Sequence, residues 1–177
     1  MDDLARSLAS DLDEAFPDLV SSLQHGVFSG LRQLTGDHHR AEDLTQEAFI
    51  RAYRAMRTYP PERIQTMQLR GWVWTIALNL LRNDIRAQSR RPTPARLEEA
   101  GYLPEEPPDS EAWRRRWTRL PPAQRQAVIL RHVAGLTYRE MSEVTGRPAN
   151  TVRSDVSRGL ARLRSVIEEE TKEEARK

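Results

Sequence analysis

The stretch TVRSDVSRGLARLR, residues 151–164, is the segment from which the fold of this chain can be inferred. Its apolar residues recur at intervals of three and four, the repeat of an amphipathic α-helix: Val152, Val156, Leu160 and Leu163. Arginines stand between them at positions 153, 158, 162 and 164. We expect the apolar stripe to pack on a core. The opposite side is either a solvated surface or a binding face.

The residues before this stretch favour a binding face. Thr137 and Glu140 have the spacing of a capping box, Gly146 is a typical helix end, and a second helix follows Pro148. A short capped helix, a tight turn and a longer helix form the pattern of a helix-turn-helix. In that motif the first two turns of the longer helix reach base edges. The predicted DNA-binding residues are Asn150, Thr151, Arg153, Ser154, Ser157 and Arg158. The alternative is a surface helix with solvated arginines.

The rest of the chain also reads as helical, because apolar residues recur three and four apart and no segment alternates as a strand does. The predicted class is therefore all-α. Five of the eleven prolines fall between Arg91 and Asp109, which is typical of an extended linker. We predict an acidic extension (1–14), an N-terminal helical domain (15–91), a flexible linker (92–109), a helix-turn-helix domain (110–168) and a charged tail (169–177).

In the N-terminal domain, Leu19, Leu23, Val27, Leu31 and Leu34 predict a first helix that ends at Gly36, with Asp37 capping the next. The second helix, AEDLTQEAFIRAYRAM, has one inward side, with Leu44, Ala48, Ala52 and Ala55. Its other side is acidic and amide-rich, and charge spacing alone leaves open whether that side is solvated or binds a partner. The residues of this side are Asp43, Gln46, Glu47 and Ile50.

A third helix, predicted over about 68–88, contains Asn79 inside the apolar run WVWTIALNLL. A buried amide without a partner costs roughly 1–3 kcal/mol, so we expect Asn79 to be hydrogen-bonded. Trp72 and Trp74 are either core residues or stacking surfaces for bases. A polar stripe crosses the helix and ends in a basic run, through Thr75, Asn79, Arg82, Asn83, Arg86 and Arg90.

Composition narrows the function. The chain has 177 residues, no cysteine and a formal charge of +2, and all but two of its 28 basic residues are arginine. Arginine suits phosphates and guanine edges, although codon bias in a GC-rich genome gives the same excess. We find no signal peptide or membrane anchor, so no membrane insertion is expected and the cytoplasm is the expected compartment. No catalytic constellation is recognisable, and we predict no enzyme activity, cofactor or metal site.

Two parts of the chain resemble one family. LPPAQRQAVILR, GLTYREMSEV and the TVRS start of the last helix resemble the C-terminal domain of extracytoplasmic-function (ECF) sigma factors of bacterial RNA polymerase. DLTQEAF followed by RAYR resembles the second conserved region of the same family, as do Trp72, Val73, Ile76, Ala77, Asn79, Asp84 and Arg86.

The resemblance implies a bacterial transcription initiation factor. Core polymerase would bind at Asp43, Gln46, Glu47 and Ile50, and the last helix would bind the −35 promoter element. The third helix would hold the melted −10 element, with Asn79 lining a pocket for an unstacked base and Trp72, Arg82, Asn83, Arg86 and Arg90 around it. The acidic linker would thread into the RNA path of the polymerase. An anti-sigma factor is a further implied partner, and the expected location is at the nucleoid or, through such a partner, at the membrane.

The chain departs from the family at Asp155 and Ser157, where a basic and often a bulky residue are usual. A carboxylate facing phosphates would repel them, so we expect a −35 sequence and affinity that differ from those usual in the family. The alternative function is a polymerase-independent helix-turn-helix repressor. A recombinase would need a nucleophile-bearing domain that this pattern does not predict.

Overall fold

The computed structural model describes residues 1–89 and 110–176, and within these ranges all regular structure is helical. The predicted all-α class with two helical domains is thus confirmed. The predicted linker, 92–109, lies outside the described residues, as does Arg90. The helices are α1 (Asp2–Ser10), α2 (Leu12–Thr35), α3 (His38–Met56), α4 (Pro61–Gln65), α5 (Leu69–Ser89), α6 (Ser110–Thr118), α7 (Pro122–His132), α8 (Tyr138–Thr145) and α9 (Ala149–Glu174).

Helix ends follow the local chemistry of the sequence. Gly36 and Gly146 adopt left-handed backbone conformations (φ 71° and 69°) that close α2 and α8. The Asp37 side chain accepts a hydrogen bond from the Arg40 backbone N–H and begins α3. At α8 the capping box is complete, since the Thr137 hydroxyl and the Glu140 carboxylate each bond the other residue's backbone N–H.

The N-terminal domain packs α2, α3 and α5 together, and α1 lies against α2 and α4. Ala5 and Leu8 of α1 are buried, so the first ten residues join the same core as the rest of the domain. Gly30 of α2 leaves room for the Trp74 side chain of α5, because a Cβ there would stand 2.5 Å from the Trp74 ring. Trp74 is fully buried and is a core residue.

In the C-terminal domain, α9 packs on α6, α7 and α8. Two ion pairs hold its C-terminal half: Arg116 of α6 pairs with Glu170, and Arg119 in the turn after α6 pairs with Glu169. The first residues of the predicted tail are therefore part of a packed helix. No helix in residues 1–89 or 110–176 has the length and apolar character needed to cross a bilayer.

The two domains pack on each other. Helix α8 lies against α5 and α7 lies against α2, and one core cluster contains buried residues of both domains. A second, smaller cluster lies within the C-terminal domain and consists of Trp117, Leu120, Val128, Ile129 and Leu163. Polar contacts reinforce this packing: Arg70 donates to the Gly135 carbonyl at 3.2 Å, and Arg82 approaches the Val144 carbonyl at 3.5 Å. The described structure is thus a closed arrangement of the two domains.

Candidate functional site

Helix α9 presents a polar face in its first three turns. Val152 and Val156 point into the core, and the side chains on the other side reach solvent. Of the six predicted DNA-binding residues, Thr151 is half-buried and the other five are exposed, namely Asn150, Arg153, Ser154, Ser157 and Arg158. The structure therefore brings the predicted set together on one accessible surface at the start of the helix.

The inward side of α9 differs from the prediction at one position. Leu160 was expected in the apolar stripe, but it is 38% exposed. Gly159 is buried in its place, where a Cβ would stand 2.6 Å from Val128 of α7 and 3.2 Å from the Gln124 carbonyl. Gly159 and Leu163 continue the inward stripe after Val156 at steps of three and four, and Leu160 lies at its edge.

Asp155 also lies elsewhere than the sequence suggested. Its side chain is only 6% exposed, and it accepts hydrogen bonds from Arg147 in the turn and from Arg158 at 2.8 Å. Burial alone would raise the pKa of this carboxyl, but the hydrogen bonds and charges of the two arginines outweigh burial and lower the pKa below its usual value. The expectation that Asp155 faces and repels phosphates is therefore wrong.

Tyr138 contacts Arg153, one of the predicted DNA-binding residues. Its ring lies at the start of α8, with the guanidinium carbons of Arg131 and Arg153 each 5.1 Å from the ring centroid. Cation–π contacts of this kind favour arginine rotamers that lie over the ring. Sequence reasoning missed Tyr138 because the contact joins two helices.

The polar stripe of α5 faces solvent. Trp72, Asn79, Asn83 and Arg86 follow at steps of seven, four and three, which places them on one side of the helix. Asn79, Asn83 and Arg86 are exposed, Trp72 and Arg82 are half-buried, and Asn79 is not in the core as its apolar neighbours suggested. The Asn79 Oδ1 accepts a hydrogen bond from Arg82 at 2.9 Å. Asn79 is thus hydrogen-bonded, as expected from the sequence.

An aromatic and cationic cluster stands beside this stripe. Trp72 meets the Tyr59 ring edge-on at 5.9 Å, and the guanidinium carbon of Arg63 lies 3.6 Å from the Tyr59 ring centroid. Tyr59 and Arg63 belong to TYPPERIQTMQLR, residues 58–70, a segment that does not closely resemble the motifs of the family. The tyrosine and arginine four residues apart were the available signal for this cluster.

Helix α3 carries the third predicted surface. Asp43, Gln46 and Ile50 are exposed, whereas Glu47 is half-buried and pairs with Arg51 at 2.6 Å. A salt bridge between Arg40 of α3 and Asp84 of α5 links this helix to the one that carries the polar stripe. Ile50 also borders an open groove of about 610 Å³ between α2 and α3, lined by Asp13, Phe16, Pro17, Phe49, Ile50, Tyr53 and Arg54.

Tyr53 orders that groove. Its hydroxyl donates to Asp13 at 2.6 Å, and its ring meets Phe16 edge-on at 5.1 Å. The hydrogen bond to Asp13, with burial and the Asp13 charge, raises the pKa of Tyr53 above its usual value.

As for metals, no cluster of three or more histidine or acidic side chains in the described part of the chain is arranged to hold an ion.

Comparison with known proteins identifies the two domains. The sigma-70 region 2 family matches residues 19–91, and the sigma-70 region 4 family matches residues 110–163. The ECF RNA polymerase sigma factor SigE of Mycolicibacterium smegmatis is 32% identical over 171 residues, covering 91% of this chain and 65% of SigE. The chain thus spans just under two thirds of that relative. The ECF sigma-E factor of Escherichia coli K12 is 34% identical, with 82% of each chain covered.

Solved structures share the fold. CnrH, in complex with the cytosolic domain of CnrY, superposes with a TM-score of 0.69 at 19% identity, over 94% of this chain and 96% of CnrH. The sigma factor RpoE of Bartonella quintana, in complex with the anti-sigma factor NepR, gives a TM-score of 0.69 at 21% identity, over 86% of this chain and 96% of RpoE. From the two matched regions and the sequence relatives together, we conclude that this chain belongs to the ECF family of RNA polymerase sigma factors.

Proposed function

We propose that the chain docks on core RNA polymerase through the outer side of α3 and directs it to promoters, with α9 on the −35 element and α5 on the −10 element. One observation carries the proposal. In each of these three helices, residues of the family pattern lie on the side that faces solvent: Asp43 and Gln46 on α3, Asn79 and Arg86 on α5, and Arg153 on α9.

The −35 contact would be a helix in a major groove. Arg153 and Arg158 carry the donors that suit guanine edges and phosphates, and Ser154 and Ser157 are short enough to allow close approach. The N-terminus of α9 adds backbone N–H groups and a positive dipole toward a phosphate.

Strand opening at the −10 element needs no catalytic side chain. It needs surfaces that hold unstacked bases, and stacking on an aromatic ring is worth about 1–3 kcal/mol per base, comparable with the cost of unstacking. Asn79 supplies an accessible amide, and Trp72 with Tyr59 and Arg63 supplies an aromatic and cationic surface beside it. We propose that the α5 stripe holds the flipped bases and that the chain directs transcription of a specific set of genes.

Run-off transcription with core polymerase on a genomic promoter pool tests this function. The wild-type chain should produce discrete start sites, and Asp43→Ala with Gln46→Ala should weaken polymerase binding. Glu42→Ala is the matched control, because this exposed carboxylate on α3 lies about 100° around the helix from Asp43. If no start sites appear and the double variant binds polymerase as well as the wild type does, the proposal is wrong.

A polymerase-independent repressor makes the opposite prediction for the protein alone. Our proposal expects weak, salt-sensitive duplex binding by the isolated chain and tight binding only with polymerase. Titration of labelled promoter duplex with and without core polymerase, at two salt concentrations, separates the two functions.

We also propose an anti-sigma factor as a regulatory partner. The support is the Bartonella quintana structure, in which a chain of the same fold is bound to an anti-sigma factor. Purification of the tagged full chain from its own cells, followed by identification of a stoichiometric partner that abolishes run-off transcription, tests this. A chain that copurifies with polymerase alone and is active without any inducing treatment would argue against it.

A further inference from the structure

The turn and the start of α9 contain a three-residue ionic unit that the helix-turn-helix pattern does not require. Asp155 is the buried centre of this unit, and one carboxylate oxygen accepts from Arg147 while the other accepts from Arg158. The two arginines come from different places, Arg147 from the turn between α8 and α9 and Arg158 from the third turn of α9. We call these three residues the Asp155 clamp.

Exposure differs along the clamp in a way that matters for DNA. The Asp155 side chain is 6% exposed, that of Arg147 is 33% exposed and that of Arg158 is 62% exposed. A carboxylate at this depth is hidden from a duplex on the outer face, whereas both guanidinium groups reach the surface. Two positive charges and one negative charge leave the clamp with a net charge of +1, so it attracts phosphates.

The bonds leave most of the Arg158 donors free. Arg158 gives one terminal nitrogen to Asp155, and a guanidinium group has five N–H donors in a planar fork. A long arginine side chain at 62% exposure would otherwise lose conformational freedom on binding DNA. Because Asp155 holds it beforehand, the remaining fork is presented in one orientation beside Ser154 and Ser157.

We propose that Asp155 is a positioning residue for −35 recognition: it fixes Arg158, and through Arg147 the turn, so that Arg158 discriminates one base pair. Arg147, which the sequence pattern did not single out, joins the six predicted residues of the DNA-binding surface. This inference rests on the proposed promoter-binding function. It adds that a buried carboxylate increases sequence specificity by holding an arginine in position.

The test uses holoenzyme assembled from core polymerase and the full chain. It selects bound templates from promoter duplexes in which the −35 region is randomised and the rest comes from a promoter active in run-off transcription. Arg158→Ala should lower discrimination at one base pair by roughly 5-fold or more, the range expected for loss of a bidentate base contact. Asp155→Asn should lower discrimination at the same base pair, leaving the other positions intact and non-specific binding undiminished.

Two further variants separate positioning from a structural role. Asp155→Asn combined with Arg158→Ala should discriminate no less than Arg158→Ala alone, because the carboxylate acts through that arginine. Glu143→Gln is the control, since this exposed carboxylate pairs with Arg139 on α8 and not with an arginine of the clamp. If Asp155→Asn does not fold, Arg147→Gln opens the clamp from its half-exposed side and should lower discrimination at the Arg158 base pair.

The outcomes are distinguishable. If the wild-type holoenzyme enriches no −35 sequence, the proposed function fails and the positioning role fails with it. If the wild type enriches a sequence and Asp155→Asn enriches it equally well, or loses preference evenly at all positions, the positioning role alone is overturned. A loss confined to the base pair that Arg158→Ala also affects supports it.

Discussion

At the scale of single residues, Gly159 sets how closely α9 can approach α7. Any side chain there meets Val128, whose branched side chain has little freedom to move, and the backbone carbonyl of Gln124. The position therefore belongs to the packing of the helix-turn-helix domain, although it lies between Arg158 and Leu160 on the sequence segment that suggests DNA binding.

We predict that Gly159→Ala destabilises the protein. Overpacking costs about 1–3 kcal/mol, which exceeds the roughly 1 kcal/mol that alanine gains over glycine inside a helix. A net loss of about 1 kcal/mol in the free energy of unfolding is expected in urea denaturation followed by circular dichroism. Ser165→Ala, an exposed change on the same helix, should stay within about 0.5 kcal/mol of wild type. Equal stability of Gly159→Ala and wild type would mean that α7 can move away from α9 without lowering the free energy of unfolding.

Asp155 gives the C-terminal domain a pH dependence of known sign. Since its folded-state pKa lies below the usual value of about 3.8, its ionised form stabilises the fold at neutral pH. That contribution is fully present above the unfolded pKa and is lost as the pH falls through the lower folded pKa. Thermal melts from pH 7 to pH 3 should show a steeper acid loss for wild type than for Asp155→Asn, and Glu143→Gln should follow the wild type.

Some of these residue roles follow from sequence and others do not. The outward positions of Arg153, Ser154 and Arg158 follow from helical periodicity, so the amino-acid sequence alone is enough to locate them. The same repeat places Asp155 beside the inward stripe, three residues after Val152, but it does not show the pairing with Arg147, because Arg147 reaches the carboxylate from the turn. Asn79 shows the opposite error: its neighbours in the sequence are apolar, but its side of α5 is turned away from the core.

At the scale of elements, local chemistry decides where most helices begin and end. The caps at Asp37, Thr137 and Gly146 were predictable, because a short polar side chain begins a helix, and a glycine ends one, in the same way in any fold. Helices α1 and α4 were not predicted. Helix α4 has five residues, too few to display a repeat, and α1 is recognisable as part of the core only from its packing on α2 and α4.

The capping box of α8 gives a prediction for the element. Thr137→Ala removes the hydroxyl that accepts from the Glu140 backbone N–H at 3.2 Å, and leaves the Glu140 carboxylate without its 2.7 Å contact to that hydroxyl. We expect a loss of about 1 kcal/mol in the free energy of unfolding. Thr171→Ala near the end of α9 is the control, because its hydroxyl bonds only a carbonyl of its own helix. Urea denaturation measures both, and Thr137→Ser should restore most of the wild-type value.

At the scale of the whole molecule, the closed arrangement constrains how the chain can work. Arg82, one of the residues proposed to hold the −10 element, approaches the Val144 carbonyl at the end of α8. Gly71 of the same helix faces the Glu140 side chain, with a Cβ position 3.4 Å from it. The α5 and α9 surfaces are thus held at one fixed separation while the domains share a core, whereas two promoter elements lie apart along a duplex that rises 3.4 Å per base pair.

We therefore predict that the domains separate when the proposed promoter complex forms. The chain contains no cysteine, so Thr58→Cys and Ser165→Cys introduce the only two labelling sites, both at exposed positions in different domains. Energy transfer between dyes at these sites should be high in the free protein and fall when labelled protein is assembled with core polymerase on promoter DNA. A pair within one domain, Ser22→Cys with Thr58→Cys, should not change. If transfer between domains stays high in a transcribing complex, the closed arrangement is compatible with promoter binding, and the two surfaces must be engaged without separation of α5 from α8.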